Sequence, residues 1–329
     1  MNFWFELLQS ILQIAIAPTT AAFVLAAIGL NVHFGFTGLM NMGQAGFMLV
    51  GAYGFGVSVS YFGLGFWPAI AIAVGAAIIF AIILGIPTLK LRGDYLAIVT
   101  IAAAEVIRMV VKLAVLQDIT GGPSGIAGNK YRPVFTELSP LPDGKTTILG
   151  ITYANTGVDD WWTRIVAWGL VALFLIITWL LIRSPWGRVL KGIREDEDAV
   201  RSLGKSSYAY KLQALILGGI MGAFGGIVMA LPAAMQPDSM GRPMTFNLWM
   251  IVLLGGAATI FGPLLGSILF FVVRLLLTSL AGEFIPSSLL NTQQTEQLAW
   301  VLIGLSLILL VVFRPQGVLG NKKELSFNV

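Results

Sequence analysis

Leu203-Gly204-Lys205-Ser206-Ser207 has the glycine–lysine–serine order that closes a phosphate-binding P-loop, in which backbone amides cradle phosphates and the lysine reaches the outer ones. The full motif needs a glycine five residues before Gly204 and a strand ahead of it. Ala199 stands at that glycine position, and the run before it is acidic and helix-prone. Nucleotide binding by this chain itself is therefore not expected. Hydrolytic chemistry lacks its parts as well. His33 is the only histidine and has no Ser-x-Gly elbow nearby, and cysteine is absent, which removes thiol nucleophiles, disulfides and Cys-bound zinc. His33 reads as a snorkelling or hydrogen-bonded residue at the end of an apolar run. No catalytic set, metal site or cofactor is expected.

The elements that carry these residues are set by composition. Of 329 residues, 57% are hydrophobic and 11% charged, and the mean hydropathy is +0.86. A soluble domain carries about 25% charged residues, and here the apolar residues fall in runs of about twenty, the length that spans the hydrocarbon core. The reading is an all-α polytopic membrane protein, a bundle of about nine to ten membrane-embedded helical segments forming one domain over 1–329. Met1 to Ala17 lacks a basic n-region and does not read as a cleaved signal. Phe3 to Ala17 is expected to be an amphipathic interfacial helix or a weak first span. Spans are expected over Leu12–His33 (Pro18 near its middle), Phe36–Phe62, Trp67–Leu89, Leu91–Leu116, Trp162–Ile182, Leu212–Leu231, Phe246–Phe261, Pro263–Leu280 and Leu298–Phe313.

The net charge of +4 is no nucleic-acid footprint, because the basic residues cluster in short loops. Lys90 and Arg92, the stretch Arg183–Lys211, and Arg314, Lys322 and Lys323 mark the cytoplasmic side, which puts the C-terminus inside. The polar segment 117–160, with Gly121-Gly122-Pro123-Ser124-Gly125, is expected outside as an ordered or mobile loop.

Within the spans a few polar residues stand out. Glycine is dense from Gly35 to Gly56, so a kink or re-entrant break is expected near 35–46, and broken backbone at membrane depth must face protein or a water-filled cavity. Asn41 and Gln44 on this segment are candidates for lining a solute path, or for hydrogen bonding between helices. Asp94, Glu105, Arg108, Lys112 and Arg274 lie in or near membrane depth, where charge is costly. Glu105 and Arg108 are spaced i, i+3 and can neutralise each other; Glu105 is the third path candidate. Gly218, Gly222 and Gly226 form a small-residue stripe for close helix packing. In the cytoplasmic loop 184–210, Glu195 to Asp198 would place four acids in the first turn of a short helix, where they complement its dipole. Ala199, Val200 and Leu203 follow as an apolar stripe, with Gly204 as its cap. Acids there would be repelled by anionic lipid, so a protein partner suits this helix better than the membrane surface.

The sequence resembles the LivM-type permease subunits of branched-chain amino acid ABC importers. The resemblance lies in Gly29-Leu30-Asn31, Gly35-Phe36-Thr37-Gly38-Leu39 through Gly43-Gln44-Ala45-Gly46-Phe47, Gly51-Ala52-Tyr53, Leu91-Arg92-Gly93-Asp94-Tyr95 through Val99-Thr100, Thr120 to Gly125, Trp186-Gly187-Arg188 through Arg194 to Ala199, Gly255-Gly256 through Gly262-Pro263-Leu264-Leu265-Gly266, and Arg314-Pro315-Gln316-Gly317. These stretches cover about 29 to 320 in the family's order; Gln44 replaces the histidine of the common Gly-His-Ala form. The resemblance implies a type II ABC importer-like permease in a bacterial or archaeal cell membrane, working with a second, LivH-type permease, two cytoplasmic ATP-binding subunits and an extracytoplasmic solute-binding protein. ATP would be bound by those partners. The segment 194–204 (Arg194, Glu195, Glu197, Ala199, Val200, Leu203, Gly204) would be the coupling helix, and the loops beyond Gln117, at 232–245 and at 281–297 would face the binding protein. The cargo would be branched-chain or other neutral amino acids; urea or a short amide is the alternative. A stand-alone secondary transporter or channel and an intramembrane enzyme are the rival classes.

Overall fold

The computed structural model describes residues 3–89, 93–148, 151–284, 291–314 and 316–320. Lys90, Leu91, Arg92, Pro315, Lys322 and Lys323, on which part of the sequence reading rests, lie outside them. The helices in chain order are α1 (Phe3–Ala15), α2 (Pro18–Asn31) with a π-helical turn (Val32–Phe36), α3 (Gln44–Ser60), α4 (Phe66–Thr88), α5 (Gly93–Val111), the short α6 (Gln117–Thr120) and α7 (Arg132–Thr136), α8 (Trp161–Arg183), α9 (Pro185–Glu195), α10 (Glu197–Ser202), α11 (Ser207–Ala230), α12 (Arg242–Gly255), α13 (Gly262–Phe284) and α14 (Thr292–Phe313). Ten of these have thirteen or more residues. Five segments (Pro18–Phe36, Phe66–Thr88, Trp161–Arg183, Ser207–Ala230 and Gly262–Glu283) are long and apolar enough to cross a membrane among the described residues.

Two expected boundaries are corrected. Pro18 does not sit inside a span running from Leu12. It occupies the first position of α2, where its missing N–H costs nothing, and the chain breaks at Ile16–Ala17. The thirteen-residue α1 is about 20 Å long at the helical rise, short of the ~30 Å hydrocarbon core. It exposes Trp4, Phe5, Leu8 and Leu12 and buries Leu7, as an interfacial helix does. The second span does not begin at Phe36. Residues 37–43 are non-helical, and α3 starts only at Gln44. Gly38, at φ +76°, provides the left-handed turn that the exit from the π-helical turn requires.

The helix α2 is the axis of the bundle, with 94% of its apolar window buried. Its main neighbour is α11, which runs antiparallel to it, with Gly225 beside Ala22 and Gly218 beside Gly29. A Cβ at Gly218 would meet the Gly29 carbonyl and the His33 ring; one at Gly222 would meet Gln44 and Phe47; one at Gly226 would overlap the Met48 carbonyl. The glycine stripe thus lets two backbones, α2 and α3, approach α11 at once, closer than any side chain allows.

Chain segments sort to two ends. Phe36, the loop 184–206 and the carboxyl end of α14 lie at one. The 117–160 segment and residues 232–241 lie at the other. The 117–160 segment carries regular elements over much of its length. Tyr131 places its hydroxyl 2.8 Å and 2.7 Å from the carbonyls of Ala230 and Ala233, and Arg132 Nε donates to Leu231 O at 2.7 Å, so this segment closes the carboxyl end of α11. Burial pushes the Tyr131 phenol up to about 12. An antiparallel hairpin not anticipated in the sequence, β1 (Lys145–Ile148) and β2 (Ile151–Ala154), pairs Lys145 with Ala154 and Ile148 with Ile151. Trp161 and Trp162, at the start of α8, donate their indole N–H groups to Thr146 O and Phe135 O and pin the hairpin and α7 to the interface.

The packing of α11 leads to a test. Gly226→Val should destabilise the protein by about 2 kcal/mol or more, since the Met48 backbone cannot yield to the added methyls. Gly75→Val on α4, where nothing lies within 4 Å, should be neutral. Recovery of monodisperse protein after graded heating measures both, and equal recovery would overturn this account of the stripe.

Candidate functional site

Three polar residues converge at the break. Asn41 Oδ1 accepts from Gly43 N (2.8 Å), while Asn41 Nδ2 lies 3.0 Å from His33 Nδ1 and donates to Gln44 Oε1 (3.1 Å). His33 Nε2 is 3.1 Å from the Leu215 carbonyl, which can only accept; Nε2 therefore carries the proton and Nδ1 accepts from Asn41. Gln44 Nε2 donates to Ala26 O and Gly218 O, both at 3.1 Å. One amide side chain thus ties α3 to both α2 and α11.

Around this triad, the orphan amide donors at the start of α3 are met by hydroxyls from other helices. Met42 N donates to Thr100 Oγ1 (2.9 Å) on α5, and Ala45 N to Thr245 Oγ1 (3.0 Å) on α12. Trp249 Nε1 donates to Asn41 O at 3.1 Å. Asn31 donates to Thr259 O (2.8 Å) and accepts from Ala258 N (2.9 Å), anchoring the turn between α12 and α13. His33, Asn41, Gln44, Thr100 and Thr245 are all buried. In this arrangement Asn41 and Gln44 face no open space; they hold the break. Asn31 and Thr100 entered the sequence reading only within the stretches that carry the resemblance, and Thr245 and Trp249 not at all, because one polar residue in an apolar span carries no signal until its partner is known.

Glu105 is the path candidate that reaches solvent, with 22% of its side chain exposed. It pairs with Arg108, as the i, i+3 spacing anticipates, and lies 3.8 Å from Arg242 Nε. Arg108 also meets Asp238, and Lys112 Nζ donates to both oxygens of that carboxylate at 2.8 and 2.9 Å. The Lys112 hydrogen bond, with Arg108 behind it, holds the Asp238 carboxyl below the usual carboxylate range. This cluster fastens the carboxyl end of α5 to the loop before α12.

The segment expected to form one short helix over 194–204 is divided. Arg194 and Glu195 close α9, and Asp196, in extended backbone, caps α10 by accepting from Asp198 N and Ala199 N at 3.0 Å. Two acids rather than four therefore occupy the first turn of α10, because the cap breaks the helix between them. The stripe divides too. Val200 is buried with Leu190 and Ile193, whereas Ala199 is exposed and Leu203 is 80% exposed. Gly204, at φ +75°, ends the helix. Burial would raise the Glu197 carboxyl, but hydrogen bonds from Lys211 and Ser207 and the charges of Lys211 and Arg201 outweigh it and hold the group below its ordinary range.

One contact joins this loop to the break. Arg194 Nη1 donates to Gly35 O at 2.6 Å, and the Arg194 stem lies against Gly38. Arg194 thus joins the end of α9 to the turn that leads to Asn41 and Gln44. Among the described residues no three histidine or acidic side chains converge as metal ligands.

The family described as "Branched-chain amino acid transport system / permease component" matches residues 12–312. The chain is 34% identical to the high-affinity branched-chain amino acid transport system permease protein LivM of Escherichia coli, over 92% of this chain and 69% of that one. It is 32% identical to LivM of Salmonella typhimurium (93% and 70%), and 27% identical to a probable LivM of Methanocaldococcus jannaschii, with 91% of each chain covered. With the family match over residues 12–312 and these identities, the chain belongs to the LivM-type permease components of branched-chain amino acid transport systems.

Proposed function

We propose that this chain is one of two permease halves of an ATP-driven importer for branched-chain amino acids, with its carboxyl end and the 184–206 loop in the cytoplasm. The observation that supports it best is the Arg194–Gly35 hydrogen bond, because it joins an amphipathic cytoplasmic helix to the broken backbone in the bundle interior. In this reading α10 docks on a cytoplasmic ATPase through its exposed face. Leu203 is its anchor, Val200 holds it to α9, and Glu197 ties it to the start of α11. Closure of the ATPase pair moves α9 and α10 as a unit. Arg194 passes that movement to residues 35–43, where an outward- and an inward-facing arrangement of the break differ in which hydrogen bonds of Asn41 and Gln44 are made. A LivH-type second permease and an extracytoplasmic binding protein complete the assembly. The ordered outer segment 117–160 and the Glu105–Arg108–Asp238–Lys112 cluster supply the surface that faces the binding protein. In this reading the binding protein presents the solute, so other neutral amino acids, or urea and short amides, would use the same permease if the binding protein carried them.

Gentle solubilisation and affinity purification of the chain should recover a second permease and two copies of an ATP-binding subunit, counted by mass spectrometry; recovery of the chain alone would overturn the assembly. In reconstituted complex, Leu203→Arg should abolish solute-stimulated ATPase activity and uptake while leaving thermal stability unchanged, since Leu203 makes little contact within the chain. Unimpaired coupling would remove α10 from that role. Asn41→Ala and Gln44→Ala should slow uptake at least several-fold, because each strands buried partners at a cost of about 1–3 kcal/mol. Radiolabelled leucine flux at saturating ATP reads the effect, and wild-type flux in both would confine the pair to packing.

A further inference from the structure

The motif Leu203–Ser207, which fails as a P-loop, still lines a cavity. Arg201, Lys205, Ser206, Ser207 and Tyr208, with Leu89 across from them, enclose about 290 Å³ at the junction of α10, α11 and the end of α4. Leu89 directly follows α4 and Ser207 begins α11, and both helices are apolar spans. Their shared end lies at the depth where hydrocarbon gives way to headgroups. Tyr208 suits that level.

The charges in the cavity are unevenly used. Arg201 reaches Glu197 (2.7 Å) and Asp198 (3.4 Å), and its Nε donates to Ser207 Oγ (3.0 Å), which in turn donates to Glu197. Lys211 also pairs with Glu197. The two acids are therefore matched by Arg201 and Lys211. The Lys205 backbone N–H donates to Val200 O, but its side chain makes no ion pair or hydrogen bond among the described residues and leaves the cavity with a net positive charge. Ser206 spends its oxygen on Ala209 N (3.4 Å) and keeps its hydroxyl hydrogen to donate.

We propose that this cavity is a binding site for the phosphate of an anionic phospholipid, held by Lys205 with Arg201 and the Ser206 hydroxyl while the acyl chains run along α4. A free phosphate carries the same chemistry, but the apolar wall at Leu89 and the position at the ends of two spans fit a lipid. Basic pockets between transmembrane helices at this level take anionic headgroups in preference to zwitterionic ones. Because α10 forms one wall, an occupied site braces the loop that carries Leu203.

The full-length chain, purified in detergent, is titrated with phosphatidylglycerol or phosphatidylcholine of the same acyl composition, and bound lipids are counted by native mass spectrometry. The first phosphatidylglycerol should bind about fivefold more tightly than phosphatidylcholine, the effect of one lysine charge at an anionic surface. Lys205→Gln should abolish that preference. Lys205→Arg, and Arg188→Gln on α9 outside the cavity, should keep it. Equal binding of the two lipids to the wild-type chain, or a preference that survives Lys205→Gln, would overturn the site. Saturable binding of inorganic phosphate that depends on Lys205 and is not displaced by phosphatidylglycerol would overturn the lipid assignment.

Discussion

A chain that leaves the helix inside a bilayer must find partners for every backbone N–H and C=O it exposes, because no water is there to supply them. Residues 37–43 make that demand in this protein. Asn41 folds back on Gly43, Thr100 and Thr245 cross over from α5 and α12, and Gln44 and His33 take carbonyls of α2 and α11. Four helices are committed to one break. Their register is fixed by this requirement more firmly than by apolar packing, which in lipid has no hydrophobic driving force of its own. The polar network and the small residues of α11 are thus two parts of one solution. Gln44 can reach Ala26 O and Gly218 O together only because Gly222 leaves room beside it.

The two ends of the bundle are built differently. At the end that carries the 184–206 loop, Ser184, Asp196 and Ser206 cap three successive helices with their own side chains, so α9 and α10 form a firm, well-terminated pair. At the opposite end, the carboxyl end of α11 has no cap of its own. It borrows Tyr131 and Arg132 from about a hundred residues earlier. A self-capped loop can move as a body. An end closed by a distant segment moves only together with that segment.

Much of the fold was legible in the sequence, since uninterrupted apolar length reports a span directly. Trp67–Leu89 against the observed Phe66–Thr88, and Trp162–Ile182 against Trp161–Arg183, differ by a residue at either end. The break near 35–46 was legible from glycine density and the spacing of Glu105 and Arg108 from helical geometry. What could not be read depended on partners. Thr37, Gly38, Asn41 and Gly43 lower the hydropathy between Phe36 and Gln44, but nothing local marks Gln44 as the first residue of α3. Asp196 as a cap rather than a first-turn acid depends on an extended backbone that the acidic run does not reveal. The different fates of Val200 and Leu203, three residues apart on one stripe, depend on where α9 lies.

The burial of α2 has a consequence for how the chain is made. Asn41 and Gln44 follow it closely, yet the other groups that pack against it or satisfy it belong to α8, α11, α12, α13 and the turn between the last two, between about 140 and 250 residues later in the sequence. At roughly 5–20 residues per second of synthesis, Asn31 and His33 wait for many seconds in or beside lipid without Thr259, Ala258 or Leu215. Until α11 arrives, the innermost helix of the finished bundle is its least supported one. A shortened chain that ends before Ser207 therefore leaves Asn31 and His33 without those partners.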